Sequence, residues 1–318
     1  MLRILIVGCG DIARRLAPLL TQRYRVYGLI RNPDQRYQLA GWGVRPVIGD
    51  LDRLASLGKL GGLAHIVIHL APPQPAGESD DRTLHLISAL SGGHGRDLVG
   101  RPRRCRMLPH CLVYIGTTGE YGNCAGALIS ETHPLRPQSV RAVRRQAAEQ
   151  LLRDWGRRTG VAVSILRVPG IYALDRLPLE RLRNATPALL GGEDVYTNHV
   201  HADDLARIIA GSLQRMRPER TYNCVDNSDL KMGDYLDLVA DRVGLPRPPR
   251  ISLQEAEKKL PTALMSFLRE SRRVDNRRLK EELGVRLCYP TVADALIRMS
   301  FNQDSRRNSP SIIPPLAR

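Results

Sequence analysis

The chain has 318 residues, 42% of them apolar and 4% aromatic, enough to bury a core without disulfides in two domains or in one large domain with a lobe. Its formal net charge is +16, carried by 43 Arg against 5 Lys. No apolar run approaches the roughly 20 residues that span a bilayer, and Met1–Val7 has neither a basic leader nor a cleavage site, so no membrane span and no secretory leader are expected.

The six cysteines, at 9, 105, 111, 124, 224 and 288, show no CxxC spacing. Reduced, cytoplasmic thiols are expected, and no metal site. The basic balance admits nucleic acid. Most Arg are scattered through helical patterns, however, and only 96–106 and the tail from Arg306 are locally basic. No recognition helix or aromatic stacking motif accompanies them. The expected partner is therefore a small, phosphate-rich ligand rather than nucleic acid.

In chain order, strands are expected at 2–7, 25–30, 46–48, 65–70, 111–115 and 162–167. Helices are expected at 11–22, 33–40, 80–91 and 139–158. The alternation predicts an α/β fold, a Rossmann-like doubly wound parallel sheet. "ILIV" and "HIVIHL" are continuous apolar runs, as strands covered on both faces require. The helix at 11–22 sets Ile12, Leu16, Leu19 and Leu20 on one face, with Pro18 as an internal flaw. A long surface loop is expected at 92–110. Beyond residue 168 short helices and loops follow, then a helix from Asp203 to Leu213 capped by Asp203 or His201, with Asp the better cap. "TYNCVD" is a further short strand. The predicted layout is a dinucleotide-binding domain over 1–170, to which 195–226 returns, a smaller C-terminal substrate lobe from 171–194 and 227–301, and a disordered tail at 302–318.

Gly8-Cys9-Gly10-Asp11-Ile12-Ala13 fits GxGxxA between a strand and a helix. Gly8 permits the tight turn, Gly10 lets backbone approach a pyrophosphate, and the small Ala13 lets helix and strand pack closely. The helix N-terminus offers unpaired N–H groups and the positive dipole end to phosphates. A tight strand–helix turn without a ligand is the bland alternative. About 20 residues on, an NAD site places a carboxylate for the ribose 2′-OH. Here that position is Ile30, followed by Arg31, with Arg36 nearby. Losing the carboxylate removes repulsion toward a 2′-phosphate, and Arg31 can bind one, so NADP is expected over NAD. Otherwise Arg31 only solvates a strand end. Asp50 ends the third strand, where it accepts from an adenine amino group or caps the next helix.

The Gly-rich turn, "GDLDR", "VIHLAPP", "LVYIGTTGEYGN", "AAEQLL", "SILRVPGIYALDRLP", "NHVHADDLARII" and "YNCVDN" follow one another in the order of a known family. The chain resembles the extended or atypical short-chain dehydrogenase/reductase superfamily, in its NAD-dependent epimerase/dehydratase branch, over roughly 1–300. The resemblance implies cofactor contacts from Leu70, Ala71 and Pro72 beneath the nicotinamide ribose. It implies others from Pro169 and Ile171 around the nicotinamide amide. It assigns Thr117 to the Ser/Thr that orients the substrate oxygen. Arg176, Arg181 and Arg183 fall in the segment that shapes the substrate pocket and suit an anionic substrate, and family members often form homodimers.

Family members carry Tyr-x-x-x-Lys, in which the cation lowers the pKa of the Tyr acid/base. Anchored on Glu149, the Lys position is Arg145 and the Tyr position is Arg141. Arg145 can hold the ribose as a fixed cation, but Arg141 cannot transfer a proton because its pKa exceeds 12. Either Tyr121, Tyr172 or His199 then supplies the proton, or the chemistry needs only positioning and a preorganised cofactor. Two functions stay open. One is an NADP-dependent oxidoreductase or epimerase/dehydratase-like enzyme with an altered active site. The other is a non-catalytic NADP-binding protein that reports cofactor state.

Overall fold

The computed structural model describes residues 1–92, 107–215 and 217–298. Most of the loop expected at 92–110, and all of the tail expected at 302–318, lie outside these residues.

Among the described residues, the first half supplies five strands of the central sheet and four α-helices: β1 (Arg3–Val7), α1 (Asp11–Leu20), β2 (Arg25–Ile30), α2 (Arg36–Gly41), β3 (Arg45–Ile48), β4 (Ile66–His69), α3 (Asp81–Ser91), β5 (Cys111–Thr117) and α4 (Val140–Thr159). With the strands Ala162–Val168 and Thr221–Asn223 they complete a seven-stranded sheet, ordered Thr221–Asn223, Ala162–Val168, β5, β4, β1, β2, β3. Every pairing is parallel. The chain starts in mid-sheet and reverses direction between β1 and β4, and in open α/β sheets ligands bind at such a switch point, beyond the strands' C-terminal ends.

The pleat divides the core. Ile4 and Ile6 pack with Leu16 and Leu20 of α1 and with Leu205 and Ile209 of the helix Ala202–Arg215. Leu5 and Val7 point the other way, to Leu86 and Leu90 of α3 and Leu152 and Trp155 of α4. On α1 the buried face is Ala13, Leu16, Ala17 and Leu20, while Leu19 is 39% exposed, contrary to the face expected for it. Pro18 is exposed, so the carbonyl it leaves unpaired costs little, and the helix runs on to Leu20.

Local signals set the ends of the elements. Asp80 accepts from Thr83 N to cap α3, Ser139 accepts from Ala142 N to cap α4, and Gly160 closes α4 in the left-handed conformation at φ 75°. The helix after His201 starts at Ala202, and His201 Nδ1 accepts from Asp203 N at 3.2 Å. His201 therefore caps it, not Asp203, whose carboxylate is drawn off to Arg15 at 2.7 Å.

Residues beyond 171 add separate apolar clusters. Tyr172 and Leu182 pack with Tyr235, Leu236 and Val239 of the helix Met232–Val243 and with Val292 and Leu296. Leu189 packs with Ala256, Met265 and Leu268. This part lies against the C-terminal edge of the sheet, because Gly170–Tyr172 pairs with His199–His201 just beyond the strand Ala162–Val168. No helix of the described residues is long and apolar enough to cross a membrane.

Candidate functional site

A cleft of about 980 Å³ opens along the C-terminal edge of the sheet. Gly8, Cys9, Gly10, Asp11, Ile12, Arg31, Asp50, Leu70, Ala71, Pro72, Thr117, Arg145, Pro169 and Ile171 all line it. Tyr121 does not.

At one end, β1 passes so close to the chain after β4 that a Cβ on Gly8 would stand 2.5 Å from Ala71 N, and Gly8 has φ +100°. Only glycine fits there without strain. Cys9 turns its thiol inward, where a Cβ on Gly28 would lie 2.8 Å from the sulfur, and burial pushes the thiol pKa up to about 12. What Cys9 can offer a ligand is backbone, not a thiolate. A Cβ on Gly10 would meet nothing within 4 Å, and no side chain caps α1. The first N–H groups of α1 thus face open space, the arrangement that holds a pyrophosphate.

The one acidic residue of that turn is neutralised. Burial alone would raise the pKa of Asp11, but Arg14 at 2.7 Å, Arg15 at 3.0 Å and Arg176 at 3.2 Å hold it below the ordinary value. Arg15 also reaches Asp175 at 2.6 Å, which ties α1 to the segment after Tyr172. Arg176 lines the cleft, but Arg181 and Arg183 do not; Arg181 donates to Pro187 O.

At the end of β2, Ile30 is buried while the Arg31 side chain is 70% exposed. The Arg31 guanidinium lies 3.9 Å from Asp52, a carboxylate already bound by Arg82 at 2.6 and 2.7 Å. Arg36 donates to Pro33 O and does not line the cleft. Asp50 accepts from Asp52 N in a local turn.

Thr117 ends β5 at the other end of the cleft. Its Oγ1 accepts from Gly119 N at 3.2 Å, which leaves the hydroxyl proton free to be donated. Beneath it Glu120 is fully buried, and its Oε1 accepts from Thr117 N. Burial and the adjoining Glu149 push the Glu120 carboxyl well above the ordinary range, while Arg167 at 2.7 Å and Arg153 at 2.8 Å hold Glu149 below it. Arg145 donates to the Tyr114 hydroxyl at 3.1 Å and to Ile115 O at 2.9 Å. It is a positioned cation in the cleft wall.

The structure corrects the proton role expected of Tyr121. The 3₁₀ turn Thr118–Tyr121 carries its ring under the sheet edge, where it is 1% exposed. Its hydroxyl donates to Asn223 Oδ1 at 2.7 Å and accepts from Arg167 at 2.9 Å, so nothing remains for a substrate. Tyr172 and His199 do reach the cleft wall. Tyr172 is 1% exposed with its hydroxyl facing the buried Asp226 carboxylate, and burial together with that carboxylate pushes its pKa well up; burial pushes the His199 imidazole down to about 4, which keeps it neutral. Its ring lies 4.2 Å from that of Tyr235.

Tyr196, Met232, Tyr235, Phe267, Glu270 and Arg272 also line the cleft, and sequence reasoning named none of them. Met232 and Tyr235 share a helix face at i, i+3, the single local signal available. The others arrive on short segments whose place is set by distant packing.

A seven-stranded parallel sheet with a glycine turn and an uncapped helix end at its switch point defines a dinucleotide-binding α/β protein. The chain belongs to the NAD dependent epimerase/dehydratase family, whose model matches residues 4–224. A functionally unknown conserved protein from Silicibacter pomeroyi DSS is 27% identical, with a TM-score of 0.77 over 96% of this chain and 100% of that one. UDP-glucuronic acid 4-epimerase from Bacillus cereus, solved in complex with NAD, is 16% identical, with a TM-score of 0.70 over 92% and 96%. UDP-glucose 4-epimerase from Thermotoga maritima, solved with UDP-glucose, is 15% identical, with a TM-score of 0.71 over 96% and 99%. The two epimerases share the fold. No curated protein sequence matches the chain.

Proposed function

We propose that the protein is an NADP-dependent enzyme of the epimerase/dehydratase kind that oxidises or reduces a carbonyl or alcohol carbon of a small molecule, with an altered active site. The observation that carries this reading is one cleft holding both the open N-terminus of α1 and, at its other end, Thr117 beside Arg145. The turn Gly8–Ile12 would hold the pyrophosphate, Arg31 the 2′-phosphate, and Pro169 to Ile171 the nicotinamide side. A nicotinamide dinucleotide supplies hydride donation and acceptance. Thr117 donates its free hydroxyl proton to a substrate oxygen and fixes that oxygen's place. Arg145, braced by Tyr114 and Ile115, holds a fixed positive charge in the same wall. It cannot shuttle a proton. Of the groups weighed for the proton, Tyr172 and His199 remain at the cleft, the neutral His199 as an acceptor.

A second reading is favoured by Arg141, which occupies the place of the family's Tyr: a protein that binds NADP without turnover and reports its state. The cytoplasm, and a homodimer, suit either reading. Oxidation of NADPH against a panel of sugars, aldehydes and ketones separates the two. Turnover that falls in Thr117→Ala supports the enzyme. Tight NADP⁺ binding with no turnover on any member supports the second reading.

A further inference from the structure

Six arginines line the cleft: Arg31, Arg82, Arg141, Arg145, Arg176 and Arg272. Four have carboxylates beside them. Arg31 and Arg82 share Asp52, Arg176 has Asp11, and Arg272 has Glu270 at 2.8 Å. Arg145 is hydrogen-bonded only to neutral oxygens. The Arg141 side chain forms neither an ion pair nor a hydrogen bond among the described residues. Its one partner is the ring of Phe267, with the guanidinium carbon 4.3 Å from the centroid.

Arg141 and Arg145 lie one turn apart on the same face of α4, a like-charge spacing that costs the helix a few tenths of a kcal/mol. Arg144 stands between them and donates to Gly77 O. No acidic residue occupies the first turn. Glu270 acts on Arg141 through space, but its carboxylate is hydrogen-bonded by Arg272 at 2.8 Å. Among the described residues the cleft wall beside Thr117 therefore carries two guanidinium groups with no carboxylate in contact. That arrangement is unfavourable until an anion enters, because a guanidinium drawn partly out of water recovers its cost only with an opposite charge and hydrogen bonds. Phe267 covers a face of the Arg141 guanidinium, which leaves its N–H edge as the side available to a planar carboxylate or a phosphate.

The geometry points to a substrate that carries a carboxylate or phosphate group, bound by Arg141 in the Thr117 half of the cleft. This rests on the reading of the cleft as a joint cofactor and substrate site. The cofactor's own phosphates belong at the other half, on the α1 turn and Arg31. Arg141 is then a specificity residue: it stands where a proton-transferring tyrosine would, and selects by charge.

The test uses the full chain, first titrated with NADP⁺ and then held at saturation. Thermal midpoints are followed as inorganic phosphate or acetate replaces chloride at constant ionic strength. Wild type is compared with Arg141→Gln and with Arg158→Gln, which removes the same charge from an exposed position on α4 outside the cleft. At least one anion is expected to raise the wild-type and Arg158→Gln midpoints alike. Arg141→Gln should need at least about tenfold more of it, the loss of a charge-assisted hydrogen bond. Which anion acts tells phosphate from carboxylate. The inference is overturned if neither anion raises the midpoint above the chloride control. Equal anion responses in Arg141→Gln and wild type, or equal weakening in Arg158→Gln, overturn it as well. Failure of NADP⁺ to bind in the first titration would sink the cofactor reading separately, and the anion series, run without cofactor, still reads Arg141.

Discussion

Replacing Arg31 by Ala should abolish the preference for NADP⁺ over NAD⁺. The two cofactors differ by a 2′-phosphate, which bears about −1.5 to −2 charges near neutral pH. Arg31 is 70% exposed, so the dielectric around it is close to that of water. A unit charge pair at ~4 Å is then worth about 1 kcal/mol, and a phosphate of that charge about 1.5–2 kcal/mol. Asp52 subtracts little, since Arg82 binds both its oxygens. The expected preference is about 10- to 30-fold in Kd. Calorimetric titration of wild type and Arg31→Ala with each cofactor measures it. NADP⁺ binding should weaken by that factor while NAD⁺ binding changes less than about twofold. Raising the salt from ~10 mM to ~150 mM should shrink the preference, because the screening length falls from about 30 to about 8 Å. Tighter NAD⁺ than NADP⁺ binding in wild type, or an unchanged ratio in the variant, would refute the reasoning.

Four further outcomes are expected. Thr117→Ala should lower turnover of any substrate found at least about a hundredfold, as loss of a positioned donor does, and Thr117→Ser should restore most of it; steady-state kinetics on the pair decides. Gly8→Ala forces a Cβ against Ala71 N and a positive φ on alanine, so it should cost about 2 kcal/mol or more and abolish dinucleotide binding, read by urea unfolding and titration. Arg167→Met strands the buried Glu149 charge on Arg153 alone and should destabilise by about 3–5 kcal/mol; a urea midpoint within error of wild type would contradict that. His69 is wholly buried, and burial, helped by the charge of Arg145, pushes its pKa from 6.5 down to about 3. The unfolded chain takes up that proton below pH 6.5 and the folded chain refuses it until about 3, so stability is lost as pH falls through this window. Between pH 7.5 and 5 wild type should lose about 2 kcal/mol more than His69→Gln, and parallel pH profiles would exclude the effect.

The sequence alone determined the sheet. The strand at 25–30 appears with those bounds, five of the other six expected strands lie within two residues of theirs, and "TYNCVD" ends three residues early at Asn223; the inner strands β1 and β4 are legible because a strand covered on both faces must be continuously apolar. The glycine turn was legible for the same kind of reason: Gly8 and Gly10 are local demands of backbone geometry, visible in six consecutive residues. Thr117 and Arg145 were placed by the family resemblance, motif against motif, and both line the cleft. Tyr121 could not be placed this way. It follows Thr117 by four residues, but the turn of the chain there, and the hydrogen bonds of its hydroxyl to Arg167 and Asn223, 46 and 102 residues away in sequence, bury it. His201 likewise outcompeted Asp203 as a cap only because Arg15, on another helix, takes the aspartate. Phe267, Glu270 and Arg272 reach the cleft through contacts with α4 and with Gly122, which no periodicity encodes. Local pattern set the scaffold and the cofactor turn, since those depend on neighbours in the chain. The fate of each charge in the cleft was decided by tertiary packing, since a charge answers to whichever partners the fold brings within a few ångströms, and among the described residues the folded chain gives Arg141 an aromatic ring and no carboxylate in contact.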